Sequence, residues 1–91
     1  MNIVWTHTAR DDLARLHEFL AAVNSKAAAR VALTLASAPE ALLRNPAIGQ
    51  TLSQYAPRDV RRLLVGDYEL RVELAGQRKI VLTIWHQREQ R

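Results

Sequence analysis

Arg62 and Arg71 are the residues of this 91-residue chain whose spacing first suggests chemistry. Gly66-Asp67 reads as a two-residue hairpin turn with glycine in front, the order that supplies the positive φ of a type II′ turn. Counting outward from that turn pairs Val65 with Tyr68, Leu63 with Leu70, and Arg62 with Arg71. Two guanidiniums opposed across strands repel, at a cost of roughly a few tenths of a kcal/mol. A chain that keeps such a pair either holds an anion there, since guanidiniums suit carboxylate or phosphate, or neutralises the pair itself. Glu69 and Glu73 lie diagonally on the same face, and spacing alone favours this second, plainer reading. Arg58, Arg61 and Arg88 extend the candidate cationic set, with Thr83 beside Arg71 on the next strand and Arg88 just past that strand's end. His86 adds an imidazole, a side chain that can serve as acid or base. In the second register argued below it stands across from Tyr68, where a structural hydrogen bond between the two is sufficient explanation.

The elements that must position these residues follow from periodicity. Tyr68 to Leu74 alternates apolar and charged, the mark of a strand with one wet face, and Ile80 to Trp85 is an unbroken β-branched and aromatic run. With Arg58 to Val65 they form a three-stranded antiparallel meander. For the second turn, a three-residue loop Gly76-Gln77-Arg78 pairs Leu74 with Ile80, Val72 with Leu82, Leu70 with Ile84 and Tyr68 with His86. A two-residue loop would set Lys79 beside Leu74 on the core side, so burial selects the longer loop. Arg62 and Arg71 then lie on the sheet face away from the helices.

Upstream, Asn2 to Trp5 reads as a short strand. A helix opens at Thr8, with Asp11-Asp12 in its first turn where the dipole favours anions, and an apolar stripe of Ala9, Leu13, Leu16, Leu20 and Val23. His17 lies beside that stripe as a boundary residue. Asn24-Ser25 ends this helix and caps the next, which runs from about Lys26 to Arg44 with a stripe of Ala28, Val31, Leu35, Ala38 and Leu42. Pro39 kinks it, Ser37 offers an alternative cap for a restarted last turn, and Asn45-Pro46 ends it. Ala47 to Pro57 is a connecting loop. The order is β-α-α-β-β-β: an α+β fold with an antiparallel helical hairpin on one face of a small, mainly antiparallel sheet, as one domain over residues 1–91. A helix–turn–helix DNA reader is a weaker description of the hairpin, because the second helix is alanine-rich and both stripes are needed to cover the sheet.

Composition bounds the function. Zero cysteines exclude a disulfide framework and thiolate chemistry. His7, His17 and His86 fall on separate elements without metal-ligand spacing, so neither metal nor cofactor is expected. Neither a signal peptide nor a membrane-length apolar run is present, which suggests a cytoplasmic protein. The net charge of +4 is concentrated late: from Pro57 onward eight cations face five carboxylates, against five and four before it. Trp5 and Trp85 read as core rings.

Taken together, Trp5, Ala9-x-x-Asp12-Leu13, Asn45-Pro46-x-x-Gly49, Arg61-Arg62-Leu63-x-Val65-x-x-Tyr68 and Ile84-Trp85-His86-Gln87-Arg88-Glu89 resemble the RelE/ParE superfamily of bacterial type II toxins, nearer its ParE (plasmid-stabilisation) branch. The resemblance runs nearly end to end. It implies a helical hairpin over a small sheet, and a growth-arresting toxin paired with a cognate antitoxin as a hetero-oligomer that meets operator DNA only through the antitoxin complex. On the ParE side the implied target is DNA gyrase, inhibited without catalysis. Arg58, Arg61, Arg62, Arg71, His86 and Arg88 are the candidate target-binding residues. On the RelE side the implied activity is ribosome-dependent mRNA cleavage, with Arg62, Arg71 and Arg88 as cations and His86 as acid or base. RelE-like nucleases carry a base-stacking aromatic near the C-terminus. Nothing aromatic follows His86 here, which favours the gyrase reading. A binding module that has lost its toxicity is the third possibility.

Overall fold

The computed structural model describes residues 2–45 and 48–89, apart from the side chain of Leu43. Strand β1 (Asn2–Trp5) leads into helix α1 (His7–Ala21), which turns into α2 (Ser25–Ser37); a 3₁₀ turn (Ala38–Glu40) and a last helical turn, α3 (Ala41–Arg44), follow. A two-residue strand β2 (Gln50–Thr51) and a 3₁₀ turn (Ser53–Tyr55) precede the meander β3 (Asp59–Val65), β4 (Tyr68–Ala75) and β5 (Arg78–His86). The sheet has five strands in the order β1-β5-β4-β3-β2, with β1 parallel to β5 and the other pairs antiparallel. No helix among the described residues is long and apolar enough to cross a membrane.

The helices cover one face. Ala9, Leu16, Leu35 and Leu42 meet Leu63, Leu70, Val72, Val81 and Ile84 in a single core, with Leu13, Val31 and Trp5 packed at its margin. Both helical stripes therefore do what their spacing requires, except at Val23, which lies beyond the end of α1 and is 86% exposed. The helix start also differs from expectation. Thr6, not Thr8, is the N-cap: its hydroxyl accepts from the Ala9 N–H at 3.1 Å and donates to Val81 O at 2.9 Å, so the cap is also pinned to β5. Asp11 and Asp12 consequently fall in the second turn. Asn24 caps α2 through its side chain, as expected.

Pro39 splits the second helix rather than only kinking it. With no N–H on Pro39, the ladder tightens at Ala38, whose N–H reaches Leu35 O, and a 3₁₀ turn follows. Ser37 makes no capping bond; its hydroxyl bonds Thr34 O. The helical segment ends at Arg44, and Pro46 lies outside the described residues. Ala47, where the expected loop begins, also lies outside them, and within the rest of that loop Gln50 and Thr51 pair with Arg62 and Arg61. Gly49 makes that return possible. Its φ is +92°, and a Cβ there would meet the Leu63 side chain at 2.9 Å and Arg62 O at 3.1 Å.

The hairpin about Gly66-Asp67 has the expected register, with Arg62 opposite Arg71, and Gly66 has φ +58°. The second turn is a correction. Tyr68 faces His86, Leu70 faces Ile84 and Arg71 faces Thr83, but a bulge at Leu82 then shifts the pairing, so Val72 meets Val81, Leu74 meets Lys79 and the loop is the two-residue Gly76-Gln77. Burial sets the register all-or-none only along an unbroken ladder. A bulge inserts one residue and restores inward alternation on both sides of itself, at the cost of a Lys79 only 4% exposed.

Candidate functional site

Strand parity sends the candidate residues to opposite faces of the sheet. Tyr68, Leu70, Val72 and Ile84 point at the helices, so His86, two residues on from Ile84, shares that side. Glu69, Arg71 and Glu73, with Trp85 and Thr83 opposite them, belong to the other, open side, as does Arg62.

On the open face the guanidiniums are held by the protein's own groups. Glu69, 6% exposed, accepts from Arg71 Nε at 3.1 Å and stands 3.8 Å from Arg62 Nη1. Arg71 also donates to the Tyr55 hydroxyl at 2.8 Å and stacks 4.7 Å from the Trp85 ring centroid. Burial works against its charge, but the bonds to Tyr55 and Glu69 outweigh it and leave the Arg71 pKa raised. Arg58 grips Glu73 through two bonds of 2.7 and 3.1 Å, which hold the Glu73 pKa below the usual carboxylate range. Arg61, opposite Val72, falls on the helix side of its strand and pairs with Asp59 at 2.9 Å. The plainer reading of the opposed arginines thus holds, with one change: Glu69 alone bridges Arg62 and Arg71, and Glu73 is taken by Arg58. Arg62 Nε, buried without a hydrogen-bond partner, is the loose point of this lattice. Trp85 belongs to this face and not to the core. The alternation around Ile84 carried that signal; Tyr55, on a short irregular segment, had none.

On the helix side, the end of the sheet and the second half of α1 enclose a cleft of about 500 Å³. Leu16, Phe19, Leu20 and Tyr68 supply its apolar lining, and Arg15, His86, Arg88 and Glu89 its polar one. Phe19 is among the exposed large hydrophobic residues. His86 meets Tyr68 through an edge-on ring contact, centroids 5.1 Å apart, rather than a hydrogen bond, and its Nδ1 accepts from the Arg88 N–H at 3.1 Å. Burial, with lesser help from Asp67 and Glu89, pushes the Tyr68 phenol pKa up. Arg88 does not join Arg62 and Arg71; it lines this cleft, and its guanidinium has no ion pair among the described residues.

Asp12 and Arg15 make contacts beside the cleft that periodicity does not reveal. Asp12 Oδ2 accepts from the Thr83 hydroxyl at 2.6 Å and from Ile84 N–H at 3.0 Å, where β5 runs on past the end of β1 and its outer amides need partners. Arg15 reaches Asp12 at 3.4 Å and Glu89 at 2.7 Å, and the hydrogen bond to Glu89 is the main reason its pKa is raised. No group of three or more metal-ligating side chains occurs among the described residues.

The family model for the ParE toxin of the type II toxin-antitoxin system parDE matches residues 3–91. The chain belongs to the ParE toxin family. Among solved structures it resembles a chain of the chromosomal ParDE toxin-antitoxin system from P. aeruginosa, at 18% identity and TM-score 0.76, covering 94% of this chain and 95% of that one. That likeness bears on the fold, which is the same helical hairpin over a small sheet. No curated protein matches. As a ParE-family toxin the chain has an antitoxin for its partner.

Proposed function

We propose that this ParE-family toxin inhibits DNA gyrase, and so DNA replication, by binding rather than by catalysis, and that its cognate antitoxin neutralises it. One observation carries the non-catalytic part. A metal-free nuclease must bring its acid or base within hydrogen-bond reach of a phosphodiester held by its cations. Here His86 opens to the helix-side cleft, while Arg62 and Arg71 lie on the other face of the sheet, engaged by Glu69 and Tyr55. One phosphodiester cannot meet His86 together with Arg62 or Arg71, so of the nuclease cations only Arg88 stays beside the imidazole.

The same geometry sorts the candidate contact residues. Arg58, Arg61, Arg62 and Arg71 are committed to partners within the chain. Arg88 and His86, beside an apolar cleft, are the pair offered to a macromolecule. An apolar depression with a cationic margin fits protein recognition better than it fits a nucleic-acid backbone. Incubating the purified toxin with gyrase and plasmid should block supercoiling or accumulate cleaved DNA, while messages on translating ribosomes stay intact. Cut messages with unaffected gyrase would reverse the assignment.

A further inference from the structure

After β5 the chain folds back on itself in three residues. The Gln87 N–H donates to Asp67 O at 2.8 Å, the Arg88 N–H to His86 Nδ1, and the Glu89 N–H to His86 O at 2.9 Å. Besides the bond from Gln87 to Asp67, the Glu89 carboxylate fastens this turn to the rest of the molecule. Glu89 Oε1 accepts from the His86 N–H at 3.0 Å, and Oε2 accepts from Arg15 Nη1 at 2.7 Å. Arg15 stands one helical turn from Asp12, which is itself anchored to Thr83 and Ile84 of β5. The chain of contacts runs from strand to helix and back to the turn that carries Arg88.

We propose that Arg15 and Glu89 form a latch that positions the turn Gln87–Glu89, and with it Arg88, at the mouth of the helix-side cleft for contact with the target. This rests on the reading of Arg88 as a target contact. Partly exposed ion pairs contribute little to global stability, so the consequence of this pair is local. It fixes where a three-residue segment points, and a charge-assisted bond to a strand-end amide is suited to that task. Arg15 is thus a positioning residue, acting through Glu89 on Arg88.

The test is a double-mutant cycle on the full-length toxin, with Arg15→Ala, Glu89→Ala and both together, read by amide hydrogen exchange at His86 and by inhibition of gyrase supercoiling. Each single change should speed exchange at His86 by roughly threefold or more, as expected for an exposed pair coupled to one amide. Each should weaken inhibition, the double should be no worse than either single, and the melting temperature should hold. Unchanged exchange at His86, or additive losses, would overturn the latch. If Arg15→Ala inhibits like the unmodified toxin while Arg88→Ala does not, the contact reading stands and the latch falls. If Arg88→Ala inhibits fully, the contact reading itself fails, whatever the exchange rates show, and the latch loses its stated role.

Discussion

The open face of the sheet and the cleft on its helix side offer cations in different conditions. On the open face, Arg58, Arg62 and Arg71 are more numerous and more conspicuous, yet each has a carboxylate of its own chain within ion-pair distance. On the helix side Arg61 holds Asp59 and Arg15 holds Glu89, while Arg88, with no ion pair among the described residues, lies beside an apolar cleft with an exposed Phe19. Charge density therefore does not locate the surface available to a partner. Guanidiniums already holding carboxylates would have to exchange one partner for another, which yields little net energy. A cation without a partner beside removable apolar surface gives up only water.

If the open face is scaffold, breaking it should cost stability before it costs function. The largest effect is expected at Asp12, which ties the edge of β5 to α1. Asp12→Ala leaves the Ile84 amide buried without that acceptor and should destabilise by about 3 kcal/mol in urea unfolding. Glu69→Ala should follow at about 2 kcal/mol, since it leaves Arg62 and Arg71 facing each other with nothing between them. A neutral or stabilising result there would mean that the lattice is not structural and that the open face is free to hold an external anion.

A smaller effect separates the lattice by pH. The Glu73 carboxylate is depressed in the folded state by Arg58, so it contributes stability above its unfolded pKa of about 4.3, and that contribution is lost as pH falls through the lower folded value. Melting curves below pH 5 should be less steeply pH-dependent in Arg58→Ala than in the unmodified protein. Parallel curves would remove Arg58–Glu73 from the account. The smallest change in stability is expected at Arg88: Arg88→Ala should melt within about 0.5 kcal/mol of the unmodified chain while losing growth arrest on expression.

The layers of the fold were legible because they are periodic. The stripes of α1 and α2 and the alternation of β4 specify which side of each element is apolar, and that is enough to set the hairpin on the sheet and Arg62 against Arg71. What stayed hidden depends on single residues that relax a rule. The bulge at Leu82 lets two registers coexist along one strand pair, and burial of Lys79 is the penalty that weighs against the shorter loop. β2 is two residues long, too short for any period. The six candidate residues were named from charge and strand position. Their separation onto two faces was implicit in the same parity, since Arg71 and His86 fall on opposite alternations once the pairing of Tyr68 with His86 is drawn. Their partners were not implicit: Tyr55 and Arg15 reach the site from 16 and 74 residues away in sequence.

The comparison of faces is tested most directly by a gyrase supercoiling assay run side by side on Arg88→Ala and Arg58→Ala. Both side chains lie at the surface, so both variants should fold. The account predicts that Arg88→Ala loses inhibition and Arg58→Ala keeps it. Full inhibition by Arg88→Ala together with its loss in Arg58→Ala would place the contact surface on the open face and contradict it.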